Sequence, residues 1–459
     1  MVFSSLEFIL IFLPGFLLAY YLLPNRFRNL CLFLFSLGFY AWGTREHPAH
    51  FLLLLFSVGI NYSFGRALER CRSKPVLTAG LVFNFSILFL FKYCGFFTTV
   101  LNAAFGASVP VLKLALPVGI SFYTFQAASY LIDVYRGTVP AEHSLLYFGI
   151  YITMFPQLIA GPIVRYQSIR QRLHRRPHSR AGFLRGLGQF IGGLGLKVLL
   201  ANRIGGLWQA VRGIGFESIS TPLAWMGILA CSLQLYFDFW GYSLMAIGLG
   251  RMLGFSLPVN FRHPYQARSM TEFWRRWHIT LGQWFREYVY IPLGGNRGGK
   301  LKTYRNLLVV WVLTGVWHGA GWNFLLWGLF LFLVIAAEKA GLRNMLEKAP
   351  MLSHVYMLLL IPLSWLLFSV TNLRDIGIYL LRLVGLGGST VFRGDYLKYA
   401  AQYGSLLAVG VLFCTPVPYR VWDRVKKPWA TALVLLAVFL SCLYYLYRGM
   451  NDPFLYFNF

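Results

Sequence analysis

The sequence predicts an all-α protein that crosses a membrane many times, and three observations carry that prediction. Of the 459 residues, 57% are hydrophobic and only 12% are charged, where a soluble domain has about a quarter charged. Eleven apolar runs follow one another along the chain, each resembling a membrane segment. The basic residues behind the net charge of +27 sit in short clusters between those runs. That is the pattern of cytoplasmic loops, not of a nucleic-acid-binding face.

In order, the runs are Leu6–Leu23, Leu30–Trp42, His50–Phe64, Val76–Phe91, Leu145–Ile163, Pro222–Gly250, Leu307–Trp317, Asn323–Ala337, Val355–Val370, Leu406–Phe413 and Ala430–Leu446. In lipid each must close its own backbone hydrogen bonds, which makes it a helix. A spanning helix needs about 20 apolar residues, so several runs are expected to be short, tilted or enclosed in a bundle of roughly ten or more helices. Arg26 and Arg28 follow the first run; Arg66, Arg70, Arg72 and Lys74 follow the third; Arg420, Arg424, Lys426 and Lys427 precede the last. The connectors Thr44–Ala49 and Gly106–Ala115 are nearly free of net charge. The alternation predicts an outside N-terminus and cytoplasmic basic loops. The first run lacks a basic leader and is expected to stay as a helix. Cys31, Cys71, Cys94, Cys231, Cys414 and Cys442 have no metal-ligand spacing and read as small core residues.

Three stretches interrupt this alternation. Leu116–Gly137 carries Gln126, Ser129, Tyr130 and Asp133 on one helical face, which points inward. Arg165–Arg185 has seven arginines and no acidic residue, as a cytoplasmic loop would. Asn260–Arg305 is basic and aromatic, too polar to cross lipid simply. Within it, Thr271–Tyr290 reads as one amphipathic helix. Trp274, Trp277, Leu281, Trp284, Phe285 and Tyr288 lie on its aromatic face, Thr271 is its cap, and Glu272 is placed to pair with Arg276. Such a helix lies at the interface or lines a funnel. The glycines of Ile291–Lys300 lack a preceding strand and P-loop spacing, which makes them a plain turn.

His318 is an ionisable group inside an apolar stretch, and such groups face a cavity or a partner. Trp311, Gly315, His318 and Trp322 share a helical face, with Gly315 leaving space beside the imidazole and Gly319 and Gly321 loosening the helix after it. A neutral ring there is able to take a proton; a packed, hydrogen-bonded histidine fits the same spacing. His278, one turn after Trp274 and Arg275, reads as an interfacial histidine. His174 and His178 have the i, i+4 spacing of a zinc pair, but among arginines, so no metal is expected. His47, His50, His143, His263 and His354 lie in connectors or at segment ends and read as structural. Asp238, with Gln234 and Tyr242 a turn on either side, and Asp133 are buried acids that need partners, and structural hydrogen bonding is the favoured role for each.

Several ordered blocks resemble the membrane-bound O-acyltransferase (MBOAT) family, in its bacterial branch of alginate O-acetylation. The most specific is Asn260–Gly299, NFRHPYQARSMTEFWRRWHITLGQWFREYVYIPLGGNRGG, followed by VWHGAGWNFLLWG; LPVGISFYTFQAASYLIDVYRG, FPQLIAGPIVRY and QLYFDFWGYSLMAIGLG add support. The resemblance runs from the N-terminal region to about Gly328.

The resemblance implies a ring of helices around a thinned centre with a tunnel. It implies one domain over residues 1–459, with N-terminal helices over 1–110, a core over 111–330 and C-terminal helices over 331–459. The family's membrane histidine falls on His318, as catalytic base, and its second histidine on His278. Donor and substrate contacts fall on Arg275, Arg276, Trp274, Trp277, Asp238, Gln234, Tyr242 and Asn323, with Arg286 and Arg297 placed to attract phosphates. No bound cofactor is implied: the co-substrate is an acyl thioester, acetyl-CoA or an acyl carrier protein. The implied partners are a separate extracytoplasmic SGNH-type transferase and exopolysaccharide assembly machinery, with no nucleic acid. D-alanyl or longer-chain transfer to another envelope acceptor is the alternative. An ion-coupled transporter using Asp133 and Asp238 is a different class, and it calls for repeated halves that the sequence lacks. The chain departs from the family at Trp240 and Leu244, where relatives carry a small residue and a carboxylate, so its acceptor or acyl group is expected to differ.

Overall fold

The computed structural model describes residues 2–159, 161–386, 392, 394–425 and 427–449; Lys426, of the last basic cluster, lies outside them. Among the described residues every regular element is helical. Seven helices are long and apolar enough to cross a membrane, or eight if the bent pair Asp395–Phe413 and Val417–Arg424 is one span. The eleven runs resolve into fewer spans because some are short or broken. Leu6–Leu23 yields only the shorter apolar helix Phe8–Leu22. Leu145–Ile163 breaks at Met154, whose backbone leaves the helical region (φ −53°, ψ 114°) between Leu145–Thr153 and Phe155–Leu158.

The chain forms two compact units, Met1–Phe190 with Tyr242–Val259, and Ile191–Gly241 with Asn260–Phe459. In the first, Ala49–Cys71 and Lys74–Lys92 form a hairpin whose turn is Arg72 in the left-handed region (φ 41°). Two buried asparagines clasp the hairpin: Asn61 Nδ2 donates to Asn84 Oδ1 at 3.0 Å, and Asn84 Nδ2 donates to Asn61 Oδ1 at 2.7 Å. Gly65 and Gly80 have no Cβ to push away Tyr130 and Leu131, so the helix Ile120–Arg136 packs directly on the hairpin. Gln126, Ser129, Tyr130 and Asp133 are all buried, as their shared face predicts. The Tyr130 hydroxyl accepts from the Glu142 amide at 3.0 Å. Glu142 in turn accepts from the Tyr166 hydroxyl at 2.6 Å and meets His174 Nε2 at 3.0 Å. His178 bonds instead to the Tyr20 hydroxyl at 3.0 Å. The two histidines thus serve different partners, because the helix Tyr166–His174 ends between them.

The second unit carries the remaining features. Gly299–His318 packs against Trp322–Ala337 through facing glycines: a Cβ on Gly315 would strike the Phe324 carbonyl, and one on Gly328 the Trp311 carbonyl. Pro350–Ser369 locks onto this pair. Its Ser364 hydroxyl accepts from Trp327 Nε1 at 2.9 Å, and its Leu367 and Phe368 carbonyls accept from the Asn323 amide at 3.3 and 3.2 Å. The Lys197 ammonium, on a π-helical turn over Leu196–Asn202, donates to Asp238 Oδ1 at 2.6 Å, with both side chains buried.

Candidate active site

The stretch expected to be one amphipathic helix is two. Met270–Arg276 and Ile279–Phe285 are separated at His278, whose backbone is left-handed (φ 43°, ψ 52°). For a side chain other than glycine this conformation costs roughly 1–3 kcal/mol and persists only where neighbours enforce it. Asn260 supplies that enforcement. Its carbonyl accepts from the Ile279 amide at 3.0 Å, and its side-chain Oδ1 accepts from the amide and hydroxyl of Thr280 at 3.2 and 2.9 Å. The Arg262 amide also bonds the Arg276 carbonyl at 3.0 Å. An aromatic face at helical spacing gave no sign of this break, because the two halves keep nearly the same apolar periodicity. The cap is also two residues away from expectation: Ser269 Oγ, not Thr271, accepts from the Glu272 amide at 3.1 Å. Glu272 does pair with Arg276, at 2.5 Å.

The break turns the His278 imidazole inward. It is 1% exposed, with Phe239 edge-on at 4.8 Å and Trp317 at 6.1 Å between ring centroids. Burial pushes its pKa down to about 3 from its ordinary 6.5, so the ring is neutral. It opens on a cleft of about 380 Å³ whose lining includes Trp274, Arg275, Gly282, Gln283, Arg286 and Trp311. A second cleft of about 620 Å³ shares Thr271 and Arg275 with the first and is lined by Arg268, Arg276 and Arg343 among others, with Glu272 and Glu347.

His318 is the last residue of its helix, 5% exposed, in an aromatic box. Trp317, Trp327 and Phe368 stand edge-on at 4.9, 5.1 and 5.1 Å. Two expectations around it need correction. Gly315 does not leave a hole beside the imidazole; it lets the next helix approach. Trp322 does not share the His318 face: the chain reverses through extended Gly319 and Gly321, and Trp322 ends 51% exposed. His318 is not among the residues lining the His278 cleft. Trp317 neighbours both histidines.

The other expected contacts divide. Trp274 and Arg275 line the cleft of His278, and Arg276 lines the arginine cleft. Trp277 turns away into an aromatic core, stacked with Phe273 at 5.5 Å and packed on Trp365 at 4.7 Å. Asp238 is committed to Lys197, the Gln234 amide packs over Gly205, and Asn323 bonds the carbonyls of its neighbouring helix. Tyr242 belongs to the first unit, where its ring stacks on Phe3 at 4.7 Å. Arg297 is exposed in the glycine-rich turn. Asn306 ties that turn by donating to the Leu293 and Gly295 carbonyls at 3.1 and 2.8 Å. Trp240 stacks on Tyr236 at 5.0 Å and stands beside His263 and Tyr419, outside both clefts.

Sequence reasoning missed two charged residues. Lys197 is a lone cation within an apolar stretch, the counterpart that buried Asp238 required. Glu338 directly follows the apolar run ending at Ala337. It is 2% exposed, with its carboxylate on the start of the Met270–Arg276 helix.

A model of the membrane-bound O-acyltransferase family matches residues 138–381, more than half of the chain and the part that holds both histidines. The chain belongs to the MBOAT family. As an MBOAT protein it is a multi-pass membrane O-acyltransferase. Among its relatives, a probable alginate O-acetylase AlgI of Azotobacter vinelandii is 43% identical over 81% of this chain and 76% of its own length. A peptidoglycan O-acetyltransferase of Helicobacter pylori is 32% identical over 100% of this chain and 98% of its own. A teichoic acid D-alanyltransferase of Streptococcus thermophilus is 30% identical over 50% of this MBOAT chain and 58% of its own.

Proposed function

We propose that this MBOAT protein takes an acetyl group from a cytoplasmic thioester and passes it across a bacterial inner membrane toward an exported polysaccharide. The observation that carries this reading is the pair of clefts that share Thr271 and Arg275 in their walls. One is apolar with a neutral imidazole in its wall; the other is lined by Arg268, Arg275, Arg276 and Arg343. An acyl thioester on a phosphate-bearing carrier has the same two-part chemistry, an uncharged arm and an anionic head.

His278, neutral because it is buried, donates a hydrogen bond to the thioester carbonyl oxygen and stabilises the charge that develops there. The carbonyl lies by Trp317, the ring adjoining both imidazoles. His318 takes the proton of the acceptor hydroxyl as its oxygen attacks the carbonyl carbon. The carbon–sulfur bond then breaks, the leaving sulfur takes the proton back from His318 to depart as a thiol, and the acyl oxygen ester remains. The acceptor hydroxyl belongs to a separate SGNH-type transferase working with exopolysaccharide assembly machinery, and the whole of residues 1–459 acts as one domain with its N-terminus outside. The similarity to an alginate O-acetylase supports this acceptor class. The end-to-end similarity to a peptidoglycan O-acetyltransferase favours a second reading, acetylation of a cell-wall glycan. An ion-coupled transporter is disfavoured, because Asp238 is already engaged by Lys197.

The test uses wild type and His318→Ala in sealed vesicles with labelled acetyl thioester on the cytoplasmic side. Wild type should label acceptor on the far side, and the folded variant should fall by about 10²–10⁴-fold. Full transfer by the variant removes His318 from catalysis; labelling confined to the donor side overturns transfer across the membrane.

A further inference from the structure

The Glu338 carboxylate is buried, and every partner described for it is a donor. Oε1 accepts from the Met270 amide at 2.5 Å and the Tyr356 hydroxyl at 3.0 Å. Oε2 accepts from the amide and the hydroxyl of Thr271 at 2.8 and 2.6 Å. Four donors around two oxygens is what a carboxylate takes and a neutral amide cannot.

Met270, Thr271 and Glu272 open the short helix before His278, and their amides have no partner within it. Ser269 satisfies the third. Glu338 satisfies the first two from another helix, with negative charge at the positive end of the peptide dipoles. Its own place in the chain matters as much. Glu338 follows Trp322–Ala337, the helix whose Trp327 flanks His318 at 5.1 Å and whose Ile335 lines the His278 cleft. One side chain therefore ties the segment that delivers Trp274, Arg275 and His278 to the helix that walls in His318. Trp274 against Trp327, at 5.5 Å, is the apolar half of the same junction.

We propose that Glu338 is a positioning residue for acyl transfer, a clamp that sets the register between the His278 segment and the His318 box. The clamp rests on the functional reading above only for its kinetic consequence. Glu338→Gln keeps the shape but turns an NH₂ toward amide donors, and Thr271→Val removes a single bond. Both are compared with wild type in lipid nanodiscs by hydrogen exchange and by donor kinetics.

In Glu338→Gln the amides of residues 270–279 should exchange about tenfold faster or more, with the Thr221–Met252 helix unchanged. Its KM for donor should rise about fivefold or more, beyond the fall in kcat. Thr271→Val should show a smaller version of both effects. Unchanged exchange at 270–279, or equal acceleration throughout the protein, overturns the proposal. If Glu338→Gln does not fold, Thr271→Val decides: a local acceleration supports the clamp and none overturns it. A wild type that transfers no acyl group, yet whose exchange at 270–279 depends on Glu338, overturns the functional reading and leaves the clamp standing.

Discussion

The Lys197 ammonium lies 2.6 Å from Asp238 Oδ1, and neither side chain is more than 2% exposed. Removing one member of such a pair strands the other charge and costs about 3–5 kcal/mol, while an apolar pair of similar volume is near neutral. Lys197→Met and Asp238→Leu should each lower the unfolding temperature of the detergent-solubilised protein sharply, and the double variant should regain most of the loss. A double variant as unstable as the two losses added together would show that the residues act independently.

Acid should weaken the fold through His278. Its folded pKa of about 3 lies below the ordinary 6.5, so as pH falls the unfolded chain takes up the proton first. The stability it contributes is whole above pH 6.5 and drains away between 6.5 and 3, a loss of roughly 5 kcal/mol at 1.36 kcal/mol per unit. Unfolding temperatures over that window should fall less steeply for His278→Gln than for wild type. Parallel curves would refute the assignment.

Gly315→Ala should be far more damaging than alanine usually is in a helix. Its Cβ meets a backbone carbonyl of Phe324, which cannot rotate away. Overpacking of this kind costs about 1–3 kcal/mol and separates two of the three helices that form the His318 box. Thermal unfolding and acyl transfer should fall together; Gly192→Ala, where a Cβ meets nothing within 4 Å, is the control. Equal behaviour of the two variants would count against the packing argument.

Asn260→Ala should act on the site without touching it. It removes two bonds to Thr280 and relaxes the enforcement of the left-handed turn at His278. A loss of about 1–2 kcal/mol is expected, with donor KM and kcat both worse. Wild-type kinetics in Asn260→Ala would mean that the turn holds itself.

The sequence made the helical class legible because long apolar runs have few alternatives in lipid. It marked His318 and His278 through the family motifs and predicted the inward face of Gln126, Ser129, Tyr130 and Asp133. What it hid are features without period. The break at His278 is imposed by Asn260, 18 residues earlier in the chain, and periodicity sees only near neighbours. Lys197 sits inside an apolar stretch and Glu338 at the edge of one, and neither charge shows its role until a partner on another helix is known. The ring that His318 and His278 share was equally invisible, since Trp317 reads as one more aromatic residue in an aromatic stretch.

The left-handed backbone of His278 also bears on how this position can change. Glycine adopts that geometry without strain, and asparagine does so more easily than most residues. His278→Gly is therefore a clean subtraction: the ring leaves while the bend it occupies stays within reach of the backbone.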